Sequence, residues 1–188
     1  MRPWILLVGA STLALASLRP ASAKEMHWKS LAVTARLDAD GALHVRERHH
    51  VVMTGEWNGG ERLFRIERGQ DLQLDGMRRV DSAGAVHAMT EGSLDGVDEY
   101  AWTSGRTLRW RSRLPGDAYF DHTELVHEID YTLYGVLKAQ GEGFLLAHEF
   151  AFTERPGVIE SFVVDLEVDP AWSVDGGHAI HATAGPQH

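Results

Sequence analysis

Residues 28–53 read WKSLAVTARLDADGALHVRERHHVVM, and the sidedness of this stretch decides the fold class. From Trp28 to Leu37, Leu31, Val33, Ala35 and Leu37 recur at every second position, which puts them on one face of a strand. Asp38-Ala39-Asp40-Gly41 then reads as a hairpin turn, because glycine accepts positive φ and aspartate side chains satisfy turn amides. The period resumes from Ala42 to Met53, with Leu43, Val45, Val51 and Met53 inward, so the two segments are expected to pair antiparallel. Glu47 falls on that same inward face.

Downstream the pattern repeats. Gly55 to Gly60 forms a loop around Trp57, followed by strands at Leu63 to Ile66 and Leu72 to Val80 and a weaker pair flanking Asp81-Ser82-Ala83-Gly84. Asp95 to Tyr100 reads as an acidic loop leading to Trp102. Thr107 to Leu114 alternates cleanly, with Leu108, Trp110 and Ser112 opposite Arg109, Arg111 and Arg113. The longest strand is expected at His122 to Val136, where Leu125, Ile129, Tyr131 and Leu133 share a face. Phe144 to Phe152 follows a turn, and Val158 to Val168 lines up Phe162, Val164, Leu166 and Val168. Some nine short strands at close intervals predict an all-β chain, a two-layer antiparallel β-sandwich that is immunoglobulin-like in general architecture.

The leading residues assign a compartment. Arg2 gives a positive start, Trp4 to Leu18 is apolar and uncharged, and Ala21-Ser22-Ala23 is a small-residue cleavage site, so residues 1–23 read as a signal peptide. The apolar run is 15 residues, short of the roughly 20 that cross a bilayer as a helix. The alternative is an uncleaved signal anchor. Cleavage would leave 165 residues starting at Lys24, with a sandwich over residues 24–174 and a flexible Gly-, Ala- and His-rich tail over 175–188. Losing Arg2 and Arg19 takes the formal net charge from −9 to −11, a balance that repels nucleic acid and anionic headgroups. No later segment reaches membrane-spanning length. With no cysteine, the chain has neither a disulfide framework nor thiolate chemistry.

Candidate chemistry is sparse. Glu47, directed inward by strand alternation, needs a cation or backbone donors, and Arg62 or Arg65 on the following strand could supply one. It is a structural carboxylate paired with arginine, a partly exposed edge position, or a general acid in a pocket. Among eleven histidines, His44 and His50 share a face while His49 points the other way, and the five-residue step from His122 to His127 also changes face. His178 and His181 have ligand spacing without thiols or an H-E-x-x-H pattern. No G-x-S-x-G or S-x-x-K element occurs. No catalytic, cofactor or metal residue is therefore assigned. The arginine stripe at Arg109, Arg111 and Arg113 is expected to be a solvated face pairing with Glu124, Glu128 or Asp130. Trp57 and Trp102 are candidate partner contacts, since tryptophan is enriched at binding hot spots; the other reading makes them plugs at the ends of the sandwich.

Asp40-Gly41-Ala42-Leu43-His44-Val45-Arg46-Glu47 fits D-G-x-L-x-V-x-E, Gly55, Arg62 and Arg65 occupy the comparable stretch, and Tyr131-Thr132-Leu133-Tyr134-Gly135-Val136 is similar to Y-x-L-x-Y-x-V with its second tyrosine and its valine one position early. With the closing Val168-Asp169-Pro170 and Trp172, residues 28–172 resemble the bacterial family of predicted membrane proteins called domain of unknown function 2207. The resemblance implies an extracytoplasmic β-sandwich, in that family followed by transmembrane helices, and no activity. Here the sequence stops after the sandwich, as an independent protein or as the separated head of a longer membrane protein. The expectation is a non-enzymatic, periplasmic or secreted interaction module that contacts an envelope protein or glycan through loops at one end. The alternative is a hydrolase of envelope polymers with Glu47 as general acid.

Overall fold

The computed structural model describes residues 24–152 and 155–173, and these are all-β. Twelve strands follow in order: β1 (Glu25–Leu37), β2 (Leu43–Gly55), β3 (Gly59–Leu63), β4 (Asp71–Val80), β5 (Val86–Ala88), β6 (Thr90–Glu91), β7 (Glu99–Ser104), β8 (Thr107–Arg111), β9 (Phe120–Tyr134), β10 (Leu137–Gln140), β11 (Gly143–Leu146) and β12 (Phe162–Val168). A six-stranded sheet ordered β12-β1-β2-β9-β4-β5 faces a four-stranded sheet ordered β3-β8-β7-β6, and β10-β11 forms a separate hairpin. The pairings are antiparallel except at two edges, where β12 runs parallel to β1 and β6 parallel to β7.

The opening hairpin forms as its alternation dictates. Leu31, Val33, Ala35 and Leu37 are buried opposite His49, Glu47, Val45 and Leu43. Gly41 turns the chain at φ +85°, and the Asp40 carboxylate accepts the Ala42 N–H at 3.0 Å. Ile129, Tyr131 and Leu133 extend this inner face on β9, and Arg62, Phe64, Leu108 and Trp110 meet it from the second sheet. Each fully buried aliphatic or aromatic side chain stabilises by about 1.5–3 kcal/mol, which lets packing carry a chain without cysteines.

The outer face of the large sheet carries an ion-pair ladder. Asp130 is paired by Arg46 at 2.7 Å and Arg78 at 2.7 Å, Glu128 by Arg48 and Arg78, and Glu124 by Lys29 and His50. These carboxylates are thus taken by their own sheet, which corrects the expectation that Arg109, Arg111 and Arg113 pair with them. Those arginines belong to β8 and its extension in the other sheet. Arg109 pairs with Glu61 at 2.7 Å, Arg111 donates to the Leu94 carbonyl, and Arg113 is buried, donating to the carbonyls of Trp57, Leu114 and Asp117.

Several boundaries also move. The strand expected at Leu63 to Ile66 lies at Gly59–Leu63, Thr107 to Leu114 shortens to Thr107–Arg111, and the strand expected at Phe144 to Phe152 is confined to Gly143–Leu146. Trp102 sits within β7, which also takes in Glu99 and Tyr100 of the expected acidic loop. In β12, Phe162, Val164 and Leu166 lie beside the buried Leu31, Val33 and Ala35, yet they are 41%, 37% and 40% exposed. The second sheet has two strands fewer and does not cover them. The cleavage site and the tail at 175–188 lie outside the described residues.

Gly135 closes β9 at φ +68°, and a Cβ there would stand 2.3 Å from the Gly69 carbonyl oxygen. Gly135→Ala should therefore cost about 1–3 kcal/mol through backbone strain and contact with a rigid neighbour, read as a lower urea midpoint. An unchanged midpoint would mean that this turn relaxes freely.

Candidate functional site

Strand parity turns Glu47, His49, His127 and Tyr131 into the space between the sheets, and all four are buried. Arg62 descends on them from β3 and is itself 1% exposed. Its Nη2 donates to Glu47 Oε1 at 2.9 Å and its Nε to Oε2 at 3.0 Å, a two-point grip on the carboxylate. Tyr131 donates its hydroxyl to Oε1 at 2.7 Å, and His49 Nε2 donates to Oε2 at 2.8 Å. Between the two expected cations the structure selects Arg62; Arg65 instead pairs with Glu149 at 3.0 Å.

Burial alone would push the Glu47 carboxyl up, but the Arg62 guanidinium and His49 outweigh it and hold the group well below the usual carboxylate range. Burial raises the Tyr131 phenol well above its ordinary value, and the Glu47 charge reinforces it. Tyr131 is therefore a neutral donor. His148 Nε2 lies 3.0 Å from the Tyr131 oxygen, whose proton is committed to Glu47, so the imidazole donates there. Burial, then Arg62, lowers His148 to about 4. This carboxylate is sealed from solvent and held anionic by its partners. It ties the two sheets together.

The same network positions an aromatic at the surface. The Arg62 guanidinium lies 4.7 Å over the Phe64 ring, Tyr131 meets that ring edge-on at 5.1 Å, and Phe64 in turn backs Trp102 at 5.8 Å. Trp102 is half-buried and lines a groove of about 300 Å³ with Ile66, Leu72, Leu74, Asp71 and Arg106. Among the described residues no ion pair engages Asp71 or Arg106. A half-supported indole flanked by one anion and one cation can stack on a ligand face and hydrogen-bond its rim.

Trp57 lies elsewhere. Its carbonyl accepts from Arg113, beyond the end of β8, whereas Trp102 stands opposite Leu108. Trp57 thus stands beyond the end of β8 at Arg111, and Trp102 near the β7–β8 turn. The Trp57 indole donates to the Glu25 carbonyl at 3.0 Å beneath the Lys24 ammonium. Like Trp102, it is partly buried against the core.

His44 and His50 lie outward, bonded to Asp38 and Glu124. His49 and His127 face each other inside, across the β2–β9 pairing. Among the described residues no group of three or more histidines or carboxylates is arranged to hold a metal ion; His178 and His181 lie outside those residues. Sequence reasoning passed over Tyr131, His148 and His127 as partners of the buried carboxylate or its neighbours. Parity marks Tyr131 and His127 as inward, while His148 sits in irregular chain with no periodic signal.

No family model matches the chain and no curated protein matches it. Among solved structures, a proposed protease from Parabacteroides distasonis is similar at 9% identity and TM-score 0.32, over 58% of this chain and 23% of that one. The chain spans less than a quarter of that protein, and a likeness this slight carries no argument about fold or activity.

Proposed function

We propose that this chain is an exported, non-enzymatic interaction module of the bacterial cell envelope, which holds a protein or glycan partner without transforming it. The observation that carries the reading is Trp102, propped on Phe64 by the buried ion-pair network and presented in a groove between Asp71 and Arg106. Buried ionic frameworks that fix a half-buried aromatic reduce the ordering cost of binding. The signal-peptide pattern of residues 1–23 and the resemblance to domain of unknown function 2207 support the compartment. Among the described residues no helix is long and apolar enough to cross a membrane.

A photo-crosslinking amino acid placed at Arg106 tests the reading in the cells that make the protein. A discrete adduct is expected in the envelope fraction, carrying a chain that begins at Lys24. Truncating Trp102 to Ala should remove the adduct, since a central aromatic anchor is worth about 2 kcal/mol or more, roughly thirtyfold in affinity. Arg106→Glu probes the rim without touching the core, because Arg106 is exposed. It should weaken a partner that docks there and leave the melting temperature unchanged. Recovery of the chain in the cytosol with its leader intact, or no discrete adduct, would overturn the proposal.

A further inference from the structure

Among the described residues the six-stranded sheet ends at one side in β5, three residues long, and at the other in β12, seven residues long. Short edge strands blunt pairing with foreign chains. β12 does the reverse: Phe162, Val163, Val164 and Leu166 are 41%, 56%, 37% and 40% exposed. Its ladder with β1 is bracketed by Leu31 N–H to the Ser161 carbonyl and by Asp169 N–H to the Leu37 carbonyl, both at 2.9 Å. Odd-numbered residues thus turn their backbone groups toward β1. By the two-residue repeat of a parallel ladder, the N–H and C=O groups of Phe162, Val164 and Leu166 point to the open side.

The side chains specify what fits there. Phe162, Val164 and Leu166 share the inner face with Leu31, Val33 and Ala35, while Asp165 and Glu167 lie on the outer face with Thr34 and Arg36. Among the described residues no ion pair engages Asp165 or Glu167, although the neighbouring ladder pairs its carboxylates. A second copy of the chain is a poor occupant. Antiparallel self-pairing centred on β12 sets Asp165 against its own copy, and like charges directly opposite are destabilising.

We infer that β12 is an acceptor edge for an extended strand of another polypeptide in which apolar residues alternate with lysine or arginine. Main-chain hydrogen bonds to Phe162, Val164 and Leu166 hold the incoming strand. Its apolar residues complete the uncovered inner face, and its basic residues meet Asp165 and Glu167. This edge lies four strands from β4 and stands independently of the Trp102 groove, so either surface can fail without the other.

The test uses the full chain and two labelled eight-residue peptides, one alternating valine with lysine and one alternating valine with glutamate, followed by fluorescence anisotropy. The lysine peptide is expected to bind at least tenfold more tightly than the glutamate peptide, with affinity falling as salt rises. Amide signals of residues 162–168 should shift. N-methylation of alternate peptide amides should abolish binding without altering the protein. Val164→Pro removes only an outward N–H, so it should keep the melting temperature and lose binding at least tenfold. Reversing Asp165 and Glu167 to Lys should invert the peptide preference. No binding of the lysine peptide at millimolar concentration, equal binding of both peptides, or binding unaffected by N-methylation and by Val164→Pro would each overturn the inference. So would a dimer in sedimentation that Val164→Pro dissociates, because the edge would then belong to a second copy.

Discussion

Replacing Glu47 by Gln is expected to lower stability by about 3–5 kcal/mol, which for a chain of this length shifts the melting temperature by roughly 6–20 °C. The cause is what the substitution leaves behind. Arg62 is 1% exposed and its guanidinium has Glu47 as its only anionic partner among the described residues, with backbone carbonyls taking its remaining donors. Without the carboxylate, a full positive charge remains between two sheets with no counter-charge. Arg62→Met should be comparably harmful, because it strands the Glu47 anion instead. The double variant should recover part of the loss, since neither charge is then left alone. Thermal melts of the four proteins measure the cycle. A Glu47→Gln protein that melts like the parent would sink the ion-pair account and return Glu47 to the list of catalytic candidates.

That carboxylate shows how far the sequence could be read. Its parity with Leu43, Val45 and Val51 forces it inward, and a buried anion demands a cation. Two arginines were in reach, and the choice of Arg62 over Arg65 depends on which residue of β3 faces the core. That parity follows from a strand beginning at Gly59, whereas the apolar pattern points to a start at Leu63. The outer-face arginines fail for a different reason. Period two says which residues share a face of a strand, but sheet membership comes from strand order. β8 lies in the smaller sheet, so its arginines never meet Glu124, Glu128 or Asp130. The same ignorance of order made Phe162, Val164 and Leu166 look like core, although the alternation itself was real. Their face is correct and the cover is missing. The groove at Trp102 was legible only as a tryptophan near a turn, because its walls come from β4, β7 and the turn before β8, which are distant in the chain.

Acid should destabilise the protein well above the carboxylate range, and His127 is the principal cause. Burial, then the neighbouring His49, lowers its folded pKa to about 3; Asp98 opposes this and Arg79 adds to it. In the unfolded chain the same imidazole takes a proton near its ordinary value of about 6.5. Between those values the unfolded state binds the extra proton, so stability rises with pH across that window. The contribution of His127 is therefore complete above about pH 6.5 and is lost progressively as the pH falls toward 3. By pH 5 the loss amounts to about 2 kcal/mol. His148, lowered to about 4 and partly open to water, adds a smaller loss in the same direction. Below the ordinary glutamate value of 4.5, Glu47 joins them, because its folded form holds its charge while the unfolded chain protonates. Urea midpoints at pH 7.5, 6 and 5 should therefore descend steadily, and His127→Leu should flatten the descent by removing one proton uptake on unfolding. The substitution exchanges a buried imidazole against Trp110 for an aliphatic group of similar size, so the variant can be compared with its parent at each pH even if its midpoint at pH 7.5 differs. A parent curve that is flat from pH 7.5 to 5 would mean that His127 reaches water, and the sandwich would then be open where the two sheets are here closed.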